Sequence, residues 1–410
     1  MKSAKKLPPD FWFFAATVAL VVLGVLMVFD ASFAKAGDRG IGDAWYFVKR
    51  QMVYAVVGFL GLFVAMRAHP LTFRRLTKVV LLVSIGLLVA VLVPGIGRTV
   101  NGAARWISIG PFRLQPSELA KLALVMYLAD QFAAIGLKIR DFWTVVRHMA
   151  VVGLIALLVL AEPDMGTAAA AVFTTAVMLY VAGAKKRHIL CLGGVGVFAG
   201  ALLALFEPYR FERILTWLDP WRDCYGSGYQ IIHSLMAAAT GGLAGVGLVE
   251  GREKFYLPAP HTDMVGATLA EEAGFIGMLV LLGLFVLFTY RGLCVGHRAR
   301  STYPSLLAIG ITSMVSLQAL INIAVFTASI PATGVPLPFI SYGGSCLIVM
   351  LFGAGMVLSV SRHLDERMEE PESEANEGRH YRRGNGRAYL PGTEYRPTAK
   401  PDRRRTPVHR

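Results

Sequence analysis

Residues Glu271–Tyr290 read EEAGFIGMLVLLGLFVLFTY, two acids followed by eighteen residues without a charge. A helix needs about 20 apolar residues to cross about 30 Å of hydrocarbon, so a run of this length marks a membrane span. Similar runs recur along the chain. Spans are expected near 11–33, 47–66, 77–94, 117–135, 145–161, 166–183, 188–206, 273–290, 303–329 and 342–361. Pro116 suits the first turn of the fourth, where its missing N–H would have no helical partner anyway. The predicted fold class is an all-α polytopic membrane protein with about ten transmembrane helices.

Composition agrees. Of 410 residues, 55% are hydrophobic and only 17% charged, against about 25% charged in soluble domains. The net charge of +14 does not indicate nucleic acid, because the basic residues lie in short loops and in the C-terminal tail. Cys191, Cys224, Cys294 and Cys346 show neither CxxC nor metal-ligand spacing, so no disulfide framework is expected. MKSAKK, an apolar stretch and ASFAKA imitate a signal peptide. The apolar part, Phe11–Phe29, exceeds the 7–15 residues of a signal core, and an uncleaved first span is expected.

Loop charge orients the chain. RAHPLTFRRLTK, GLKIRDFWTVVR, AKKRH and YRGLCVGHRAR together carry 13 Lys/Arg against one acid, Asp141. Cytoplasmic loops carry such an excess, which places both termini in the cytoplasm and a long extracytoplasmic loop, 207–272, between spans seven and eight. Residues 1–10 are then a short cytoplasmic N-terminus. The basic, Gly/Pro/Arg-rich tail 362–410 is expected to be disordered, either a solvated extension or a contact for partners or anionic lipid.

Ionisable groups at membrane depth need a partner or water. Glu118 and Lys121 are i and i+3 on the fourth span, neighbours on one helix face. They form either a structural ion pair or a cavity lining in which Lys121 meets an anionic substrate. Arg105-Trp106 is either an interfacial anchor or a pair that grips phosphate and stacks on a sugar. Arg50, at the outer mouth of the second span, has the same two readings. In AEPDMGT, Glu162 and Asp164 either cap the sixth helix or complete a charged cavity. Arg210, Arg213 and Arg222 alternate with Tyr209, Trp217, Trp221 and Tyr229, which suits an interfacial helix or a sugar-phosphate platform. TGGLAGVGLVEG follows no strand and is discounted as a dinucleotide motif; flexible backbone beside a groove is expected. In PHTDMVG, Asp263 beside His261 and Thr262 is either an N-cap or a general base. SIPATGVPLPFISYGGS is too irregular for hydrocarbon and reads as a cavity wall.

VNGAARWISIGPFRLQPSELAKL, AEPDMGT, EPYRFERILTWLDPWRDCYGSGYQIIHSLMA, KFYLPAPHTD and TGVPLPFISYGGS occur in one order on these loops. In this the chain, over roughly residues 10–362, resembles the SEDS proteins (shape, elongation, division and sporulation), membrane peptidoglycan glycosyltransferases. Within them it is most similar to the division member, with the sporulation paralogue close. The resemblance implies that Asp263 is the essential acid of the fourth outer loop. Arg50, Arg105, Glu118, Lys121 and Asp164 would line an outward-facing cavity, and Trp106, Arg210, Arg213 and His261 join them as candidate substrate contacts. It implies lipid II as substrate, a growing β-1,4 glycan strand as product, and a class B penicillin-binding protein and other divisome proteins as partners. The expected location is the bacterial plasma membrane at the septum. No cofactor is implied with certainty; participation of a divalent cation stays open. A lipid II flippase and a non-catalytic scaffold are the alternatives. The chain departs from the family pattern at Gly266 and Ala267, where bulkier residues are usual, at Ala259, where an acid is common, and in NIAVFTASIPATG, which lacks a basic residue.

Overall fold

A computed structural model describes residues 7–36, 45–100, 103–110, 112–206, 208–258 and 260–364. The tail beyond 364 and the first six residues lie outside the described residues. The helices are α1 (Phe11–Ala36), α2 (Tyr46–Arg67), α3 (Pro70–Leu92), α4 (Pro116–Ile135), α5 (Phe142–Ala161), α6 (Met165–Val181), α7 (Lys186–Phe206), α8 (Pro208–Leu218), α9 (Tyr229–Gly241), α10 (Glu253–Tyr256), α11 (Val265–Arg298), α12 (Thr302–Phe326) and α13 (Gly344–Arg362). Each expected span falls on a helix. Eight of them, α1 to α5 and α11 to α13, are long and apolar enough to cross a membrane among the described residues. The apolar α6 is shorter at 17 residues, and α7 runs for 21.

Burial explains the monotony of these sequences. Helices α12 and α13 are enclosed on nearly every side, whereas α2, α3 and the later part of α11 turn rows of Val, Leu and Phe outward. A helix bounded by protein on one side and lipid on the other has no polar face, so its residues carry no amphipathic stripe. Close approach is set by small residues, as lipid-embedded helices require. A Cβ on Gly355 of α13 would sit 2.4 Å from the Leu62 carbonyl oxygen of α2, and one on Gly58 would sit 2.5 Å from Leu351.

Three features depart from the expectations. The segment before α4 is not plain loop. It forms an antiparallel meander, β1 (Gly97–Val100), β2 (Ala103–Ile109) and β3 (Phe112–Leu114), with Arg98 opposite Trp106 and Ile107 opposite Leu114. Second, a further helical stretch precedes the eighth span, which was expected from 273. α11 starts at Val265, inside the segment read as loop, and is interrupted at Gly274 (φ 63°, ψ −162°). Third, the glycine-rich stretch after α9 is not loose backbone beside a groove. It receives the break in α11: the N–H groups of Phe275 and Ile276 donate to Gly242 and Leu243 (3.0 and 3.1 Å), and those of Val246 and Gly247 donate to Glu271 and Glu272 (3.0 and 3.1 Å). Peptide groups freed by a helix break at membrane depth must be paired by protein, and only glycines permit this approach. A Cβ on Gly274 would lie 2.3 Å from the Gly245 nitrogen.

The two acids that open the quoted stretch are likewise paired. Both are buried. Glu271 accepts from the N–H groups of Arg252 (2.7 Å) and Glu253 (3.2 Å). Glu272 accepts from Lys254 (2.7 Å), whose ammonium also binds Asp30 of α1 and the Val249 carbonyl. This network fastens α10 to α1 and α11, just ahead of the segment that carries Asp263.

Candidate active site

Asp263 is not a helix cap. The N-cap of α11 is Met264, whose side chain makes no capping hydrogen bond. The segment 261–263 is instead held by its main chain. Three consecutive carbonyls accept from other elements: His261 from the Tyr342 N–H (2.8 Å), Thr262 from the Ser341 hydroxyl (2.7 Å) and Asp263 from the Asn322 amide (2.9 Å). With its backbone occupied in this way, the Asp263 side chain is left to face the loop that runs from α12 to α13.

That loop supplies Gly334, in the left-handed region at φ +74°. A Cβ there would lie 3.6 Å from Asp263 Oδ2 and 3.9 Å from Arg105 Nη1. The acid and the guanidinium therefore flank one glycine, and the missing side chain leaves the space between them. Arg105 reaches this point from β2 and is fixed by main-chain acceptors, its Nε donating to the Glu162 carbonyl (2.9 Å) and its Nη2 to the Pro163 carbonyl. Arg213, on α8, donates to the Ala332 carbonyl (2.7 Å) two residues before Gly334. Trp217, one turn on, donates to the Ala328 carbonyl (2.7 Å).

Electrostatics joins these groups. Withdrawal from water, aided by the nearby Asp164 carboxylate, pushes Asp263 up to about 6; Arg105, Arg213 and a hydrogen bond from Thr262 oppose the rise. Asp164 caps α6, accepting from the Thr167 N–H (3.1 Å) and hydroxyl (2.9 Å). Glu162 is 0% exposed, and neither of its carboxylate oxygens has a hydrogen-bond partner among the described residues. Burial, then Asp164, pushes it up to about 8 against the pull of Arg105. Burial thus raises both carboxyls, Glu162 the further of the two, while the arginines hold Asp263 lower.

The remaining expected residues fall into four groups. His261 and Arg50 lie at one edge. The His261 ring packs on Phe47 (4.7 Å) and Tyr342 (5.6 Å), and Arg50 lies over Tyr46 (4.7 Å) and hydrogen-bonds Tyr342. Trp106 is half-buried on β2, the next residue after Arg105. Glu118 and Lys121 do not line an open cavity: they are 0% and 2% exposed and paired at 2.9 Å, with Lys121 also donating to Gln318 of α12. Arg210 lies on α8 where only the backbone is described.

A cavity of about 380 Å3 adjoins Arg213, walled by Thr216, Ser227, Tyr229, Gln230 and Pro258. Among the described residues no three His, Cys, Asp or Glu side chains come together to hold a metal ion.

The family model for FtsW/RodA/SpoVE, described as cell cycle protein, matches residues 11–366. The protein belongs to this family. The chain is 42% identical over 363 residues to stage V sporulation protein E of Bacillus subtilis, covering 88% of this chain and 99% of that protein. It is 41% identical to the probable peptidoglycan glycosyltransferase FtsW of Geobacter sp. (strain M18), covering 85% and 95%. Among solved structures, a chain of a peptidoglycan synthase complex that coordinates polymerization and crosslinking superposes with TM-score 0.72 at 32% identity, covering 88% and 100%. The rod shape determining protein RodA of Thermus thermophilus superposes with TM-score 0.66 at 30% identity, covering 88% and 99%. The SEDS resemblance and the polytopic membrane fold stand on these matches.

The FtsW/RodA/SpoVE chain also holds site residues that the sequence reading passed over. Gln318 and Asn322 are fully buried amides on the apolar α12. Gln318 binds Lys121 and the Pro336 carbonyl; Asn322 binds the Asp263 and Val335 carbonyls. Two amides at i, i+4 spacing within a span were the available signal. Glu162 was seen only as one of two acids, and Gly334 as one glycine of an irregular loop.

Proposed function

We propose that the protein is a peptidoglycan glycosyltransferase that polymerises lipid II into β-1,4-linked glycan strands during cell division. The observation that carries this reading is that Asp263 and Arg105 border one space, left open by the missing side chain of Gly334. A carboxylate in that place serves as general base, a role that contributes about 10²–10⁴ in rate. Asp263 takes the proton from the acceptor GlcNAc 4-hydroxyl as its oxygen attacks the donor anomeric carbon. The bond to undecaprenyl pyrophosphate breaks on the opposite face, and the linkage inverts from α to β. Charge gathers on the departing pyrophosphate, where Arg105 and Arg213 stabilise it through fixed donors. The activated donor supplies the driving force, so no nucleotide is consumed.

The cleft opens to the extracytoplasmic side in this reading, with both termini cytoplasmic. In support, the entry to α1 and the end of α13 lie together: the Leu7 N–H donates to the Arg362 carbonyl (3.1 Å), and the Asp10 N–H to the Ser361 hydroxyl (3.1 Å). The working complex pairs this chain with a class B penicillin-binding protein at the septum, which cross-links the strands it makes. Purified with that partner and given labelled lipid II, the wild type yields glycan polymer and Asp263→Asn does not. Equal polymer from both proteins, or none from either while vesicles show headgroup translocation, would overturn the glycosyltransferase in favour of a flippase or scaffold.

A further inference from the structure

The carbonyls that fix the Asp263 segment are not bound by chance neighbours alone. Asn322 spends both hydrogens of its amide on two carbonyls, that of Asp263 (2.9 Å) and that of Val335 (2.7 Å). Val335 follows Gly334, whose missing side chain leaves a space that Asp263 and Arg105 both border. One turn earlier on the same face of α12, Gln318 donates to the Pro336 carbonyl (3.0 Å) and accepts from Lys121, itself paired with Glu118 at 2.9 Å. Contacts therefore lead from the buried ion pair through Gln318 to the Pro336 carbonyl, and from Asn322 on the same helix to the Asp263 and Val335 carbonyls. A polar residue serving only its own helix bonds the carbonyl four residues back, as Thr312 does on this same helix. Gln318 and Asn322 reach elsewhere.

We infer that Gln318 and Asn322 are positioning residues: as a two-rung amide ladder on the buried Glu118–Lys121 pair, they set the spacing of Asp263 and the Gly334 loop. Neither touches the reacting atoms. The inference rests on the reading of Asp263 as the general base, since that reading gives the spacing its catalytic meaning. It also assigns Lys121 a mechanical part, anchoring the ladder from below. Misplacing a reacting group by about 1 Å costs about 10²-fold in rate, which is the effect expected when a rung is lost.

The test uses full-length protein with its penicillin-binding partner, labelled lipid II and hydrogen–deuterium exchange on the same preparations. Asn322→Leu keeps the approximate volume and removes both donors. It is expected to lower kcat by about 10²-fold with KM nearly unchanged, and to speed exchange at 261–265 and 333–337 while α3 and α5 keep wild-type protection. Asn322→Asp, which when protonated retains one donor of the same shape, is expected to fall between; it carries the same comparison where the Leu variant does not fold. Wild-type kcat in either variant overturns the inference. So does faster exchange spread evenly over all helices, the mark of a merely structural amide. If Asp263→Asn polymerises normally, the general-base reading falls by itself, and local exchange in Asn322→Leu still decides whether the ladder places the segment.

Discussion

Asp263 and Glu162 show how two carboxylates in one cleft come to differ. Burial raises both, yet Asp263 is opposed by two arginines and a hydrogen bond, Glu162 by Arg105 alone. The consequence for catalysis is an acidic limb in the pH–rate profile near pH 6, where Asp263 loses its proton. Arg105→Ala removes a charge that favours the carboxylate, so the limb is expected to move to higher pH; a profile of kcat/KM against pH for the two proteins checks this. For stability the sign runs the other way. Glu162 is raised from its ordinary 4.5 to about 8, so the folded state binds the proton more tightly than the unfolded chain does. The stability it contributes is complete below about pH 4.5 and is lost as pH rises toward 8. Glu162→Gln is expected to flatten that fall, giving a melting temperature above wild type at pH 8 and close to it at pH 4.5, read by thermal unfolding in detergent. Glu118 and Lys121 were legible as a pair from i, i+3 spacing alone. Which partners Lys121 takes was not, because Gln318 is 197 residues away.

Among the helices, the spans were legible because a membrane imposes length and apolarity locally. Their ends were not. α3 begins at Pro70 rather than 77 because His69 caps it, accepting from the Leu71 N–H (3.2 Å), and because Arg74 is paired with Asp130 of α4 (2.7 Å). The β1–β2–β3 meander escaped notice because strands of three to seven residues leave too short an alternation to separate from loop. The early start of α11 was hidden by Glu271 and Glu272, whose charges look like solvent until their partners are known. Lys254 is the partner that matters. Removing one member of a buried ion pair typically costs about 3–5 kcal/mol, and Lys254 is 1% exposed between Asp30 and Glu272. Lys254→Met is accordingly expected to lower the yield of folded protein sharply, as seen by size-exclusion chromatography. Adding Glu272→Gln should recover part of it by removing one stranded charge.

For the molecule as a whole, loop charge and the meeting of α1 with α13 both bear on orientation. With the termini inside, Lys138, in the turn after α4, lies in the cytoplasm and Arg98, on β1, lies outside. In a chain cleared of its four cysteines, Arg98→Cys is expected to react with a membrane-impermeant thiol reagent on intact spheroplasts. Lys138→Cys is expected to react only after the membrane is opened. The reverse pattern would turn the cleft toward the cytoplasm and away from a growing wall.

The amino-acid sequence by itself determined that this chain is a bundle of membrane helices, roughly where they run, and which polar residues had to be explained. Each of these follows from the cost of placing charge or open backbone in hydrocarbon, a cost paid locally and so written locally. Only the tertiary structure decided that Asp263 is held by its backbone rather than capping a helix, that Arg105 borders the same space beside Gly334, and that Lys121 is buried and bonded to Gln318. Those facts depend on contacts between segments such as Arg105 and Glu162, 57 residues apart, or Asn322 and Asp263, 59 apart. No local pattern records such contacts, because the energy that forms them is gained only when separate helices pack.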